Sequence, residues 1–546
     1  PLFGAYHPST IAGARDVPQP HPDDAAHPRG VGVVLCSPFG HEEHHAHRSE
    51  RHLAERLARA GFPALRFDYD ATGDSAGDDR EGGRVAAWRE SIVHAADALR
   101  ERAGVGKVVL VGLRGGALLA LTTAIEARAD TLVLWNPIAS GRAHARELRA
   151  VHKMLFPRQK GDSTPAEDEE ALGFALRKDT VADLAKLDAL PLTTAPVTAC
   201  LVLGGNENPS EDKLLERLRG LGVEVEYEHL PGHPFLVTDP HKSTVPDEML
   251  AAIVDYLSTR YPSGGEGRRT SSAPRAAVTV ACPALSEEAW ILDGPRQRFG
   301  VLTRPEVASD KPAIVLMNAG SIHRVGPNRS FVRMARRWAE LGYPVFRMDL
   351  SGIGDSAASE GTVENLPYPR DAVLDAQAAM NALSERGIAK RFILSGLCSG
   401  ADIAFRTGAV DRRVTGAWMV NPQAFYCESS DALKELMSAE LQASYYQSAF
   451  WDPERWKRVL RGEVDVKRIA GVMRTKVESA LKRRAARLLG GTLGGFLEAN
   501  DAHDATDTID DLRAMAERGA DTFLLCSEDD PGLLYLLRYF GRELDL

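Results

Sequence analysis

The chain has 546 residues, of which 44% are hydrophobic and 26% are charged, values typical of a globular protein long enough for two domains. Its net charge of −10 argues against general binding to nucleic acid, and no apolar run approaches the roughly 18 residues that a membrane-spanning helix needs. The six cysteines have no metal-like or short-loop spacing, so they predict reduced thiols, and together with the lack of a recognisable signal peptide they predict a cytoplasmic protein.

The first half alternates short β-branched or aromatic runs with helical stretches, which predicts a mostly parallel sheet flanked by helices. The predicted strands are 31–35, 64–68, 107–111, 132–135, 198–203 and 223–229, with helices near 49–60, 85–102 and 248–257. A segment rich in Gly, Ser and Pro follows, and it predicts a linker over 263–284 between an N-terminal domain, 1–262, and a C-terminal domain, 285–546.

The second half repeats this alternation, with predicted strands at 313–317, 345–349, 392–394, 416–420 and 522–526. An insertion of about 100 residues, 423–521, separates the last two strands and is predominantly helical by pattern.

The two halves also share sequence landmarks. The segment 60–68 returns at 341–349, Gly-Asp-Ser at 73–75 returns at 354–356, and Asn-Pro at 136–137 returns at 421–422. A period of this length indicates a duplicated domain, because the units of solenoid proteins run to about 50 residues.

A glycine-bounded turn follows a predicted strand in each half, Gly-Leu-Arg-Gly-Gly at 112–116 and Gly-Leu-Cys-Ser-Gly at 396–400. Strand, such a turn and helix form the nucleophile elbow of the α/β-hydrolase fold, whose central residue sits on a strained turn with its side chain exposed. That residue is Cys398 in the second half, a competent nucleophile, and Arg114 in the first, which cannot attack. A tight turn with a buried structural cysteine is the alternative interpretation of 396–400.

These patterns predict the fold class α/β, with two α/β-hydrolase-fold domains in tandem. In hydrolases of this fold an insertion between the last strands forms the cap, so 423–521 predicts a large helical cap over the second site. We expect the C-terminal domain to be catalytic and the N-terminal domain to be a pseudo-hydrolase that shapes the site or binds a partner.

An elbow nucleophile needs a base, an acid that orients the base, and an oxyanion hole, and the chain order in this fold is nucleophile, acid, histidine. The acid belongs after the last predicted strand, where Asp530 is our choice and Asp529 and Glu528 are alternatives. The matching place in the first half holds Asn208, so that half has lost the acid as well, although it keeps His233 where the base belongs.

The base of the second half is the open question. The spacing in the first half predicts a histidine beyond Leu546, so we expect the C-terminal domain to be incomplete at that end. The alternatives are His323 or His503, the two histidines of the second half, or His233 reaching across from the first half.

The oxyanion hole is expected to use the backbone N–H of Ser399 and one from the loop after the first strand of the second half, where Gly320 and Ser321 are the best candidates. The positive end of the helix that follows the elbow is expected to lower the pKa of Cys398, and a thiolate needs less help from a base than a hydroxyl does.

Two further features of the first half offer alternative binding sites. The histidine-rich segment 41–47 could be read as a metal site, but it falls in a predicted loop where the fold needs a polar turn, so we expect no metal and no cofactor. Arg114 could bind a carboxylate or phosphate, or it could be a buried arginine paired with Asp68 or Asp74.

The chain resembles a fusion of two hydrolases of the exosortase A system-associated kind. The first half carries the motifs of one member, Pro38-Phe39-Gly40, His47-Arg48-Ser49, Arg66-Phe67-Asp68-Tyr69 and the Gly-Leu-Arg elbow. The second half carries those of the other, Gly396 to Ala401, Ser527-Glu528 and Asp530-Pro531-Gly532. The resemblance implies the fold and the nucleophile better than the substrate, and an elbow arginine is usual for the first kind.

The cysteine half is also similar to shuttle acyltransferases, which move acyl groups between carrier proteins.

A cysteine suits this chemistry, because its attack on a thioester gives another thioester at nearly equal free energy. We therefore expect an acyl ester or thioester substrate, with an acyl or peptidyl carrier protein as a possible partner. The lysine- and arginine-rich stretch 455–487 could dock such a carrier; it could also be a solvated helix face or pair with the acidic run 498–511. The rival hypothesis is a non-catalytic pair in which both elbows recognise a ligand or a carrier.

Overall fold

The computed structural model describes residues 1–9, 29–155, 170–205, 209–231, 240–262, 279–282, 285–292, 297–359, 361–369, 371–423, 425, 503–527, 530 and 533. Contacts divide the chain into two compact units. The first contains Pro1–Pro283 and Val325–Met334, and the second contains Ala284–Arg324 and Ala335–Leu546.

The first unit is built on a sheet with the strand order β1-β3-β2-β4-β5-β8-β9, in which β1 is antiparallel to β3 and the other pairs are parallel. Its strands are β1 Gly4–His7, β2 Val31–Cys36, β3 Ala64–Phe67, β4 Lys107–Leu113, β5 Thr131–Trp135, β8 Ala199–Gly204 and β9 Glu224–His229, with a small hairpin of β6 Glu170–Ala171 and β7 Phe174–Ala175. Its helices are α1 His41–Arg59, α2 Arg84–Ala103, α3 Gly115–Thr123, α4 Gly141–Leu155, α5 Lys178–Leu184, α6 Pro209–Gly220 and α7 Asp247–Arg260.

Both faces of this sheet are covered by helices, which explains why its central strands β2, β4, β5 and β8 are nearly continuous buried apolar runs. Alternate residues of β4 enter different cores: Val108 packs with residues of α2 and α3, and Val109 packs with residues of α1 and α7. Because the central strands are parallel, their carboxyl ends lie along one edge of the sheet, where the loops that could carry chemistry begin.

The second unit has a sheet with the order β11-β12-β14-β13-β15-β16-β17. Strand β12 is antiparallel to both β11 and β14, and the remaining pairs are parallel. Its strands are β11 Leu285–Leu292, β12 Arg298–Pro305, β13 Ala313–Met317, β14 Val345–Met348, β15 Phe392–Leu397, β16 Val414–Val420 and β17 Asp521–Leu525. The remaining elements of the second half are β10 Thr279–Cys282, α8 Ser330–Glu340, α9 Ala372–Glu385, α10 Ser399–Val410 and α11 His503–Glu517.

The predicted fold class is confirmed: the chain carries two mostly parallel sheets flanked by helices, in tandem. The two sheets share the same strand order at their centres, since β3-β2-β4 in the first corresponds to β14-β13-β15 in the second. The antiparallel β11–β12 hairpin was not predicted. Most of the predicted cap, the basic stretch 455–487 and most of the predicted linker lie outside the described residues.

The prediction of a loop at 41–47 is wrong, because α1 already begins at His41. Gly40 turns the chain sharply into this helix with φ 68°, and Glu42 and Glu43 in its first turn interact favourably with the positive end of the helix dipole. Among the helices that the structure describes, none combines the length and apolar character needed to cross a bilayer.

Candidate active site

Cys398 lies on the turn between β15 and α10, with φ 58° and ψ −123°. Its backbone N–H donates a hydrogen bond of 2.9 Å to the carbonyl of Val420, at the end of β16. A residue with a side chain is strained at such a positive φ, so the surrounding structure must hold the turn. The thiol is thereby placed at the carboxyl edge of the parallel strands and at the start of α10.

The glycines of this turn are required by close backbone contacts. A Cβ atom on Gly396 would lie 2.3 Å from the carbonyl carbon of Gly400, and one on Gly400 would lie 2.5 Å from the backbone oxygen of Asn318. The Gly-x-Cys-x-Gly spacing therefore lets α10 pack directly against β15 and against the loop that follows β13.

The thiol of Cys398 is half-buried, and its environment opposes ionisation. Burial raises the pKa of the Cys398 thiol to about 11, and the negative charges of Asp402 and Asp530 add to this, whereas the backbone N–H of Ser399 acts in the opposite direction. The N–H at the start of α10 thus acts in the predicted direction, but burial and two acidic neighbours outweigh it, so the net pKa of the thiol is raised. At neutral pH the thiol is protonated, and it needs a base to become a nucleophile.

Asp530 lies at the same edge of the sheet as the elbow. Its backbone N–H donates to the carbonyl of Ser527 at 3.1 Å, and its charge is close enough to raise the pKa of both Cys398 and Cys526, for each of which burial is the larger cause. Glu528 and Asp529, the alternative acids, lie outside the described residues.

The loop after β13 contacts Ser399, the residue that follows Cys398. The backbone N–H of Gly320 donates to Oγ of Ser399 at 3.0 Å, and the Ser399 side chain is fully buried. Oγ of Ser321 donates to the carbonyl of Asn365 at 2.9 Å. The candidate oxyanion donors are thus brought together, although Ser399 Oγ occupies the Gly320 N–H in this state. His323 lies in the same loop and is buried; only the backbone of His503 is described.

Asp349 positions this loop, a role that the sequence analysis did not assign. Its buried carboxylate accepts hydrogen bonds from the backbone N–H of Arg324 at 2.6 Å, from Nη1 of Arg324 at 2.8 Å and from the backbone N–H of Asp355 at 3.0 Å. The recurrence of Asp68 as Asp349 was the signal for this function. In the first unit Asp68 accepts the backbone N–H of Asp74 in the same way, at 2.7 Å.

A second buried carboxylate was also missed. Asp402, on the first turn of α10, accepts hydrogen bonds from the hydroxyl of Tyr368 at 2.9 Å and from the backbone N–H groups of Gln423 at 3.0 Å and Phe425 at 3.1 Å. The ring of Phe425 packs edge-on against Phe405 of α10 at 5.1 Å. These contacts fasten the chain that leaves β16 to the elbow helix.

The first unit repeats the elbow backbone with a different side chain. Arg114 has φ 54° and ψ −117°, and its backbone N–H donates 2.9 Å to the carbonyl of Trp135. Its guanidinium pairs with Glu42 at 2.9 Å and with Glu147 at 2.8 Å. The predicted pairing with Asp68 or Asp74 is wrong, because α1 begins early enough to bring Glu42 over the turn.

The space beside this first elbow is filled. Phe39 and Gly115 take the places that Gly320 and Ser399 take in the second unit, and a Cβ on Gly115 would lie 2.3 Å from the Phe39 ring. The first unit therefore combines an arginine at the nucleophile position with a phenylalanine packed on the residue after it. Asn208 and His233 of the predicted pseudo-site lie outside the described residues.

Comparison with known proteins gives a likeness over part of the second half. Residues 299–439, which include Cys398, match the model of the dienelactone hydrolase family. No curated protein matches the chain.

Several solved structures are similar to about half of the chain. A lidless α/β serine hydrolase from Xanthomonas campestris is 15% identical with a TM-score of 0.30, and the match covers 48% of this chain and 91% of that one. Est1E from Butyrivibrio proteoclasticus, with ferulic acid bound, is 15% identical with a TM-score of 0.33, covering 47% and 93%. Mouse α/β hydrolase domain-containing protein 10 is 15% identical with a TM-score of 0.30, covering 47% and 94%. These likenesses are too distant to indicate the reaction or the substrate of this chain.

Proposed function

We propose that the C-terminal domain is an enzyme that forms an acyl-enzyme at Cys398 and hydrolyses or transfers acyl groups from ester or thioester substrates. The observation that carries this proposal is the strained turn that holds Cys398 at the carboxyl edge of the sheet, with Asp530 beside it. The likeness of residues 299–439 to dienelactone hydrolases supports hydrolytic chemistry.

In the proposed reaction a base takes the proton from Sγ of Cys398, and the thiolate attacks the carbonyl carbon of the substrate. The electron pair of the carbonyl moves onto its oxygen, where backbone N–H groups of Ser399 and of the Gly320–Ser321 loop stabilise the negative charge. The tetrahedral intermediate then expels the alkoxide or thiolate of the substrate, which takes the proton back from the base. Water or a thiol then gives its proton to the base and attacks the resulting thioester. Cys398 leaves as a thiolate and takes the proton back from the base.

The proposed reaction requires a general base, because burial is the largest cause that raises the pKa of the Cys398 thiol to about 11. We assign this role to a histidine oriented by Asp530, in the order nucleophile, acid, histidine. His323, in the candidate oxyanion loop, is the alternative, and replacing it with alanine tests it: an acylation rate equal to that of the wild type excludes His323 as the base.

The acceptor follows from the chemistry of a thioester intermediate. Transfer from Cys398 to another thiol exchanges one thioester for another, whereas a serine ester would be a thermodynamic sink against thiols. A carrier-protein thiol is therefore the proposed acceptor beside water.

Intact-protein mass spectrometry with a panel of acyl N-acetylcysteamine thioesters tests the proposal. Cys526 provides a matched control, because it is also a partly exposed thiol at the carboxyl edge of the same sheet, with its pKa raised first by burial and then by Asp530. We expect an acyl adduct on the wild type and on Cys526→Ala and none on Cys398→Ala. A chase with water or with a carrier thiol then separates hydrolysis from transfer.

A non-catalytic binding pair is the second candidate. It is favoured by the raised pKa of the Cys398 thiol, caused first by burial, and by the Ser399 hydroxyl that occupies the Gly320 N–H. The absence of any adduct across the panel, together with a Cys398 thiol inert to iodoacetamide, would contradict the nucleophile assignment and favour this alternative.

A further inference from the structure

The first unit contains a pocket to which no role has been assigned above. It lies at the carboxyl ends of β2 and β3, beneath the β6–β7 hairpin and the helices on either side of it. Its walls are mainly apolar side chains, namely Phe39, Trp88, Leu148, Ala171, Phe174 and Leu176.

Aromatic rings dominate these walls. Phe39 and Trp88 are stacked with their ring centres 5.2 Å apart, and the ring of Phe174 lies 5.2 Å from that of His44. Phe174 is partly exposed, whereas Phe39 is buried, so the hairpin supplies the more accessible ring. Such surfaces favour an apolar or aromatic body, which gains from both burial and ring stacking.

The acidic and basic side chains of the α1 and α2 walls are paired with neighbouring protein groups. Nη1 of Arg84 donates to Asp70 at 2.5 Å, and Nδ1 of His44 lies 3.0 Å from the Glu43 carboxylate. Burial lowers the pKa of His41 to about 4, so its imidazole is neutral at physiological pH.

The basic groups of the pocket are engaged within the first unit. Arg329 donates to the backbone carbonyls of Gly73 at 2.9 Å and Gly77 at 3.1 Å. Asp79 pairs with Arg333 at 3.0 Å through Oδ2, and its Oδ1 is buried without a hydrogen-bond partner. An anionic ligand would lose its hydration beside this carboxylate and would have to break a contact of Arg84 or Arg329 to gain a counter-ion.

We propose that the first unit binds an uncharged molecule with an apolar aryl or alkyl body in this pocket and does not transform it. No reaction is expected, because the elbow of this unit carries Arg114, held by Glu42 and Glu147, where a nucleophile would be, and Arg114 itself does not line the pocket. The pocket belongs to the first unit, so this binding is independent of the reaction proposed for Cys398.

The test uses the full chain carrying Cys398→Ala, which removes acylation, and hexanophenone as a neutral probe that cannot be hydrolysed. Isothermal titration calorimetry should show one hexanophenone bound per chain. Phe174→Ala should weaken binding by about tenfold or more, because it removes one aromatic wall. Ile125→Ala is the matched control, since Ile125 is an apolar residue of the first unit that is 57% exposed and lies outside the pocket.

Charge selection and location give two further readouts. We expect 4-hexanoylbenzoate, the same skeleton with a carboxylate, to bind at least about tenfold more weakly than hexanophenone. We also expect the probe to change the tryptophan emission of the parent protein, and this change to be lost in Trp88→Phe, which keeps an aromatic ring in the wall. Unchanged affinity in Phe174→Ala, equal binding of the carboxylate, or an emission change that persists in Trp88→Phe would each overturn the proposal.

Discussion

The side-chain oxygen of Asn421 accepts a hydrogen bond of 2.8 Å from the backbone N–H of Ser527, a residue 106 positions later in the chain. Asn421 has a positive φ of 46°, and its own backbone N–H donates to the carbonyl of Leu525 at 2.8 Å. The turn after β16 thereby holds the loop that leads to Asp530. Asn136 of the first unit has φ 44° and donates to Leu203 at the same distance, 2.8 Å, so the repeated Asn-Pro pair marks a duplicated turn.

Asn421→Ala should slow acylation of Cys398, because Asp530 would lose the anchor of its loop. We expect a loss of about tenfold in rate, the size typical of a group that orients a catalytic residue. Asn136→Ala is the matched control: it places alanine at the same strained φ, costing about 1–2 kcal/mol, but it should leave the acylation rate unchanged. Stopped-flow acylation and thermal unfolding measure the two effects, and equal rate losses in both variants would argue against a specific role for Asn421.

The reactivity of Cys398 should rise steeply with pH. Burial, followed by Asp402 and Asp530, raises its thiol pKa to about 11. Because only the thiolate reacts, alkylation by iodoacetamide should increase about tenfold per pH unit from about pH 7 to about pH 10. The rates are measured in Cys526→Ala, which removes the other partly exposed thiol among the residues that the structure describes, and the alkylated site is mapped by peptide mass spectrometry. A plateau near neutral pH would show that the thiolate is already formed and would contradict the expected protonation state.

Asp402→Asn should shift the same alkylation profile to lower pH. The substitution removes a negative charge that raises the pKa of Cys398, although burial is the larger cause and remains. Tyr368→Phe provides the comparison, since it removes the hydroxyl that donates to Asp402 at 2.9 Å and leaves the charge in place. A profile that moves in neither direction in Asp402→Asn would mean that this carboxylate does not act on the thiol.

Gly400→Ala should destabilise the second unit. Its Cβ would lie 2.5 Å from the backbone oxygen of Asn318, and backbone cannot move aside as a flexible side chain can. We expect a loss of about 1–3 kcal/mol in the free energy of unfolding, typical of overpacking. Gly106→Ala is the control, because a Cβ there meets no atom within 4 Å, and it should be neutral or slightly stabilising. Chemical denaturation compares the two, and similar unfolding free energies would be inconsistent with a tightly packed elbow.

Arg114→Met should destabilise the first unit without affecting acylation at Cys398. The Glu42 side chain is only 5% exposed, and removing its partner leaves a buried charge uncompensated. The expected cost is about 3–5 kcal/mol, the value typical of breaking a buried ion pair. Adding Glu42→Gln should recover much of this loss, whereas adding Glu147→Gln should recover little, because Glu147 is 49% exposed. Equal recovery by the two second substitutions would contradict the assignment.

Much of the architecture follows from local sequence patterns. The apolar runs that became β2, β4, β13 and β15 could be assigned because strands buried on both faces must be apolar along their length. The β11–β12 hairpin was missed, although β11 buries Leu285, Trp290 and Leu292 among polar positions and so resembles an amphipathic strand. The identity of the two elbow residues needed no structure, since the glycine spacing marks the turn in both halves.

The duplication, the tandem fold and the difference between Cys398 and Arg114 can be read from the chain alone, because each landmark is a short local motif and the motifs recur in the same order in both halves. The environment of each elbow, in contrast, depends on residues that are far apart in the chain and meet only after folding. Glu42 meets Arg114 across 72 positions, and Gly320 meets Ser399 across 79. The raised pKa of the Cys398 thiol depends on how much water the fold excludes and on the charges it brings near, and neither quantity can be read from spacing.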